Sequence, residues 1–155
     1  MKDRREHVET VINPALREGH IVLVDRYYFS TMAYQGARGV DPDELMRRNE
    51  RFAPEPDLLV ILDIDPKLGL KRVKTRGDRA NLFEKTGSLK KAREIFNGIK
   101  KTYAYRLDAT QEMETLRHLV MRLFSAMYAE RIAHSNFPPK VKLNMTLNLF
   151  GGKPV

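Results

Sequence analysis

The chain has 155 residues, 42% of them apolar, so a single domain could bury about two-thirds of the surface its unfolded form exposes. It has no cysteine, which excludes disulfides and thiolate zinc sites and fits a reducing compartment, with the cytoplasm as the expectation. The net charge of +8 points to an anionic partner, and the excess is concentrated between Lys67 and Lys101, where twelve Lys or Arg stand against Asp78, Glu84 and Glu94.

Val8, Val11, Ile12, Ala15 and Leu16 recur at helical spacing, so residues 2 to about 18 should form an amphipathic helix, bent at Pro14 and ended before Gly19. His20 to Asp25 and Asp57 to Asp63 are short, continuous apolar runs, the pattern of strands buried on both faces. Tyr103 to Asp108 is a weaker third. Each run finishes on an aspartate and is followed by a helical stretch: from Arg26, from Pro66 to about Thr75, and from Gln111 to about Arg131. That alternation predicts an α/β fold with a parallel sheet. In such sheets ligands collect beyond the carboxyl ends of the strands, where Asp25, Asp63 and Asp108 would stand.

Helix starts are well marked. Asp41-Pro42-Asp43-Glu44 places an N-cap before a proline at the first helical position, with Glu three residues after the cap; Asp65-Pro66 repeats the cap and proline, and Thr110 is the expected cap of the last helix. Met113, Leu116, Leu119, Val120, Leu123, Phe124 and Met127 make one stripe on that helix, read as core. After the breaker at Pro138-Pro139, residues 142–149 alternate polar and apolar with period two, a candidate half-exposed edge strand. The longest apolar runs are a quarter or less of the roughly 20 residues that cross a bilayer, so no membrane span is expected.

The densest chemical signal is Asp25-Arg26-Tyr27-Tyr28-Phe29-Ser30-Thr31-Met32-Ala33-Tyr34-Gln35-Gly36, which opens directly from an expected strand. A carboxylate there can hold hydrated Mg²⁺, and the adjacent arginine can fork onto a phosphate. Ser30, Thr31, Tyr34 and Gln35 offer hydroxyl, amide and ring edges to a small planar ligand. A capped helix with an ordinary salt bridge is the competing reading of the same residues.

This run closely resembles the Asp-Arg-Tyr motif of thymidylate kinases. The resemblance continues in Arg4 with His7-Val8-Glu9, in Phe52-Ala53-Pro54, in Gly69-Leu70-Lys71-Arg72, in Arg76-Gly77-Asp78 leading to Phe83-Glu84, and in Asp108-Ala109-Thr110, in the family's order from about residue 2 to 128. It implies a P-loop kinase-like, three-layer α/β fold, with residues 1–131 as the kinase-like domain, a lid at about 76–88, and a tail from 132 to 155. The implied reaction is transfer of the γ-phosphoryl group of ATP to dTMP, with Mg²⁺. By the same resemblance Arg4 reaches the thymine base, Asp25 lies near the magnesium, Arg26 binds the dTMP phosphate, and Ser30, Thr31 and Gln35 line the nucleotide site. Tyr34 packs against sugar and base, Arg76 or Arg79 clamps the transferring group, and Asp108, Ala109 and Thr110 form the loop passing the adenine of ATP.

A P-loop, Gly-x-x-x-x-Gly-Lys-Ser/Thr after a strand, cradles phosphates with backbone N–H groups and a lysine. No stretch of these residues fits it: Gly151-Gly152-Lys153-Pro154 has proline where the hydroxyl belongs. The resemblance therefore implies the C-terminal two-thirds of such a kinase, truncated at the N-terminus, with dTMP recognition kept and turnover impaired. A non-catalytic nucleotide-binding or interaction module and one half of a split kinase are the alternatives. A homodimer or a complementing N-terminal chain are the expected protein partners, and specific nucleic-acid binding is not expected.

Overall fold

A computed structural model describes residues 2–75 and 86–134. Within them the chain forms two compact units, one built from residues 2–56 and 63–101, the other from 57–62 and the described residues after 101. Arg76 and Arg79, expected to belong to a lid, and the candidate strand 142–149 lie outside the described residues.

The first unit opens with helical backbone from Lys2 to Arg17, as the periodicity predicts, but in three parts: α1 (Lys2–His7), a π-helical turn (Val8–Ile12) and α2 (Asn13–Arg17). Pro14 supplies the reason. It has no N–H to give the Thr10 carbonyl and its ring crowds that carbonyl, so the ladder widens just before it, with Asn13 N–H reaching back to Val8 O. The helix ends where expected: His20 N–H donates to Ala15 O at 2.9 Å while Gly19, at φ 80°, takes the left-handed position that only glycine fills cheaply. Val8 and Ile12 are buried, but Val11 and Leu16 are exposed, so the apolar face is narrower than the spacing implies.

The strand expected at His20 to Asp25 is not formed. The segment is irregular, and Leu23 is 97% exposed with Ile21 at 59%. A strand needs a neighbour for its backbone groups, and no described residue pairs with this run.

Helix α3 (Tyr28–Gly36) buries Tyr28, Phe29, Met32 and Ala33 and leaves the opposite face open. It packs against α4 (Pro42–Glu50) and α6 (Thr86–Asn97), which in turn meets α5 (Pro66–Thr75). The caps at Asp41 and Asp65 are present: their carboxylates accept from Asp43 N–H and Lys67 N–H, each at 2.9 Å. Glu44 does not close a capping box; it pairs with Arg47 and Arg48, whose hydrogen bonds hold its carboxyl below the usual range.

The second unit holds the parallel sheet, reduced among the described residues to two strands, β1 (Leu59–Asp63, whose last residue belongs to the first unit) and β2 (Ala104–Asp108). Leu59 N–H donates to Tyr103 O at 2.8 Å, and Arg131 of α7 (Met113–Ala133) pairs with Asp57 at 2.9 Å. The α/β class and the strands at 57–63 and 103–108 are therefore as predicted. Two details differ. Thr110 does not cap α7, because the Asp108 carboxylate takes both its N–H (2.9 Å) and its hydroxyl (2.7 Å) in a tight turn, and the helix starts only at Met113. Of the predicted stripe, Leu116 is buried and Leu119 to Met127 are half-buried, whereas Met113, in the first turn, is exposed.

Candidate functional site

Helix α3 sets the site. Its buried positions 28, 29, 32 and 33 fix the helix on α4 and α6, and the helical period then turns Ser30, Thr31 and Tyr34 to the other side, with Gln35 at the boundary. Ser30 and Thr31 are half-buried, Tyr34 likewise, and Gln35 is exposed. Ser30, Thr31 and Tyr34, expected to face a ligand, thus lie opposite the buried residues of the helix.

Arg4 joins this open face from the first helix. Its Nη2 donates to Thr31 Oγ1 at 2.6 Å and its Nη1 to Asn49 Oδ1 at 2.7 Å, so two residues that sequence reading assigned to the same ligand touch each other directly. Arg5, the next residue, lies over the Phe52 ring at 4.5 Å and adds a second tie between the first helix and the end of α4. Arg26 is held at φ 54°, in the left-handed region that non-glycine residues seldom adopt, and its guanidinium stands 5.9 Å from the centre of the Tyr34 ring. Asp25, immediately before it, is exposed and makes no ion pair among the described residues.

Two residues were not anticipated. Asn49 is fully buried, donating from Nδ2 to Leu45 O at 2.7 Å while it accepts from Arg4. The available signal was its place one turn after Leu45, a polar residue on the buried stripe of α4. Tyr27 has a buried hydroxyl with no hydrogen-bond partner among the described residues; burial pushes its pKa up, and the nearby Arg4 charge opposes that shift. Its motif position was visible, but a side chain buried without a partner cannot be read from sequence.

In the same unit, Arg93 of α6 forks onto Asp63, with Nε at 2.6 Å and Nη2 at 2.7 Å from the two carboxylate oxygens, and Asp65 lies 3.8 Å from Nη1. The Asp63 hydrogen bonds hold the guanidinium's pKa above its ordinary value. This bidentate pair ties α6 to Asp63, which opens the stretch leading into α5 of the same unit. In the second unit Asp108, Ala109 and Thr110 form the tight turn described above, with Ala109 buried.

A single exposed carboxylate such as Asp25 suits Mg²⁺ that keeps most of its water and is bound mainly by substrate phosphates. No cluster of three or more acidic or histidine ligands occurs among the described residues, so a fully protein-caged metal does not fit there.

The sequence pattern of the family described as thymidylate kinase matches residues 1–120. A thymidylate kinase of Xanthomonas euvesicatoria pv. vesicatoria (strain 85-10) is 40% identical over 154 residues, covering 99% of this chain and 67% of that protein. One of Akkermansia muciniphila is 43% identical over 132 residues, 85% of this chain and 64% of that protein, and one of Xanthomonas campestris pv. campestris (strain B100) is 42% identical over 132 residues, 85% and 58%. The chain thus spans roughly two-thirds or less of the relatives it matches. With the Asp-Arg-Tyr run, the Arg4–Thr31 contact and these likenesses together, the chain belongs to the thymidylate kinase family.

Proposed function

We propose that this chain binds dTMP on the open face of α3 and serves transfer of the γ-phosphoryl group of ATP to the dTMP 5′-phosphate, giving dTDP and ADP. The observation that carries the reading is the pair of arginines brought to one helix, Arg4 at Thr31 and Arg26 at Tyr34. A guanidinium that makes no ion pair among the described residues is a ready phosphate fork, which suits Arg26; one tethered by neutral oxygens keeps N–H donors for a base carbonyl, which suits Arg4. Tyr34 would pack against the sugar and base, and Ser30 and Gln35 would add polar edges. Asp25 would hold Mg²⁺ through water, and the bound metal would neutralise charge on the phosphate oxygens. Arg76 or Arg79 would meet the transferring group, and Asp108 to Thr110 the adenine. No covalent protein intermediate is required, since phosphoryl transfer rests on positioning and charge neutralisation. The cytoplasm, where dTMP and ATP are available, is the compartment this role requires, and a homodimer or a complementing chain is the partner proposed.

A second reading, a nucleotide-binding half without turnover of its own, is favoured by one observation: the 155 residues contain no Gly-x-x-x-x-Gly-Lys-Ser/Thr sequence. Doing without one preorganised donor to the reacting phosphates slows the reaction by about 10²–10³. The expected result is therefore measurable dTMP binding by calorimetry with little dTDP formed from ATP by the purified chain. Rapid dTDP formation would remove the second reading, and absence of any dTMP heat would remove the first.

A further inference from the structure

Arg4 can recognise a base only if its guanidinium is held still, because an exposed arginine spreads over many rotamers and loses that freedom on binding. Two groups hold it. Thr31 takes one Nη2 hydrogen at 2.6 Å from the open face of α3; Asn49 takes one Nη1 hydrogen at 2.7 Å from α4. The two partners differ in kind. Thr31 is half-buried on the ligand face, whereas Asn49 has no exposed surface and cannot touch a ligand there.

Asn49 is itself fixed. Its Nδ2 donates to Leu45 O at 2.7 Å, which settles which way the amide points and leaves Oδ1 as the acceptor facing Arg4. An apolar residue would fill this position on the buried stripe of α4 with less desolvation, so the polar choice calls for a reason. Of the five N–H groups of Arg4, two are committed to Asn49 and Thr31, and three remain for a ligand. All three are donors. They suit a pyrimidine that presents a carbonyl at position 4, as thymine does, and repel one that presents an amino group there, as cytosine does.

We infer that Asn49 is a positioning residue for base selectivity: by locking Arg4 it lets the site tell a 4-oxo from a 4-amino pyrimidine nucleotide without touching either. This rests on the proposed dTMP site. Its content beyond that proposal is that the discrimination runs through a sealed residue on a neighbouring helix.

The test is calorimetric titration of the full chain with dTMP and with dCMP, for the parent, Asn49→Ala, Arg4→Ala and the double variant, each checked for folding by thermal melting. Asn49→Ala is expected to lower the ratio of dTMP to dCMP affinity by about fivefold or more, the scale of one weakened charge-assisted hydrogen bond. With Arg4 already removed, the same change is expected to leave the ratio within about twofold, because the two residues act as a unit. Asn49→Leu, close in shape but without polar atoms, repeats the measurement with the space filled and serves if the alanine variant does not fold. A merely structural asparagine would weaken both nucleotides alike and add to the Arg4 change, and that result overturns the inference. So does an unchanged ratio in both Asn49 variants while the parent prefers dTMP. A parent that binds neither nucleotide, or an Arg4→Ala variant with the parent's ratio, fails the proposed site itself and the inference with it.

Discussion

Arg26 stands at φ 54°, and for a residue with a Cβ that conformation costs about 1–2 kcal/mol. Such strain persists where the side chain is needed, and here the side chain is the phosphate fork of the proposed site. Arg26→Gly should relieve it while Arg26→Ala should not, leaving the glycine variant more stable in urea by about 0.5–1 kcal/mol after its looser unfolded chain is counted. Both should weaken dTMP binding by about 1.5–3 kcal/mol. Equal denaturation midpoints for the two variants would dispose of the strain, and parental affinity in either would take Arg26 out of the site. Tyr27 gives a second test. Its hydroxyl is buried and unpaired among the described residues, so Tyr27→Phe should cost at most about 0.5 kcal/mol at pH 7 and gain up to about 1. Because burial raises its pKa in the fold above the ordinary 10.0, the unfolded chain loses this proton first as pH climbs; the tyrosine's stability is intact below 10 and is lost as pH rises through the folded value. The parent should therefore lose more stability than the Phe variant between pH 8 and pH 11, and a gap independent of pH would contradict the assignment. At this scale the motif from Asp25 to Gly36 was legible because its residue types are chemically specific. The strained φ of Arg26, the orphaned Tyr27 hydroxyl and the Asn49 contact were not, since each depends on which elements pack together.

The seating of α3 decides where those side chains point, and Gly36 controls how close the helix comes to its neighbours. A Cβ added there would lie 2.7 Å from Ile95 Cδ1 and 2.9 Å from Pro42 Cγ. Ile95 can rotate its terminal methyl away; the Pro42 ring, fixed at the first position of α4, cannot move without moving that helix. Alanine would gain about 1 kcal/mol in helix propensity, but overpacking of this kind typically costs about 1–3 kcal/mol, so the net effect of Gly36→Ala should be a loss of up to about 2 kcal/mol. Chemical denaturation checks the sign, and a stabilised variant would show that the two helices can part freely. Elements fixed by local chemistry were readable in advance: the caps at Asp41 and Asp65 and the stop at Gly19 each rest on two or three adjacent residues. His20 to Asp25 was misread because a strand is made by its neighbour as much as by its own apolar run. Thr110 was misread because Asp108 competes for the same groups.

That unpaired run also shapes the behaviour of the whole chain. Ile21, Leu23 and Val24 are 59%, 97% and 38% exposed, an irregular apolar stretch whose backbone makes no ladder with any described residue. Such a stretch is a template for pairing with another chain. Opposing it is a net charge of +8, with a sequence pI near 9.8. The two effects differ in range. Repulsion between exposed charges is screened beyond about 8 Å at physiological ionic strength, whereas apolar burial and backbone pairing act at contact and are not weakened by salt. Contact should therefore win as salt rises. The purified chain is expected to be mainly monomeric at low ionic strength and to self-associate with increasing concentration at 0.15 M salt or above. Leu23→Lys, which places a charge on the most exposed apolar residue of the run, should shift that association to concentrations about tenfold higher, since about 1.4 kcal/mol of contact energy corresponds to a factor of ten. Sedimentation velocity across a salt series reads the outcome directly. A parent that stays monomeric throughout, or one whose association weakens with salt, would show that charge rather than the exposed run governs how copies of this chain meet.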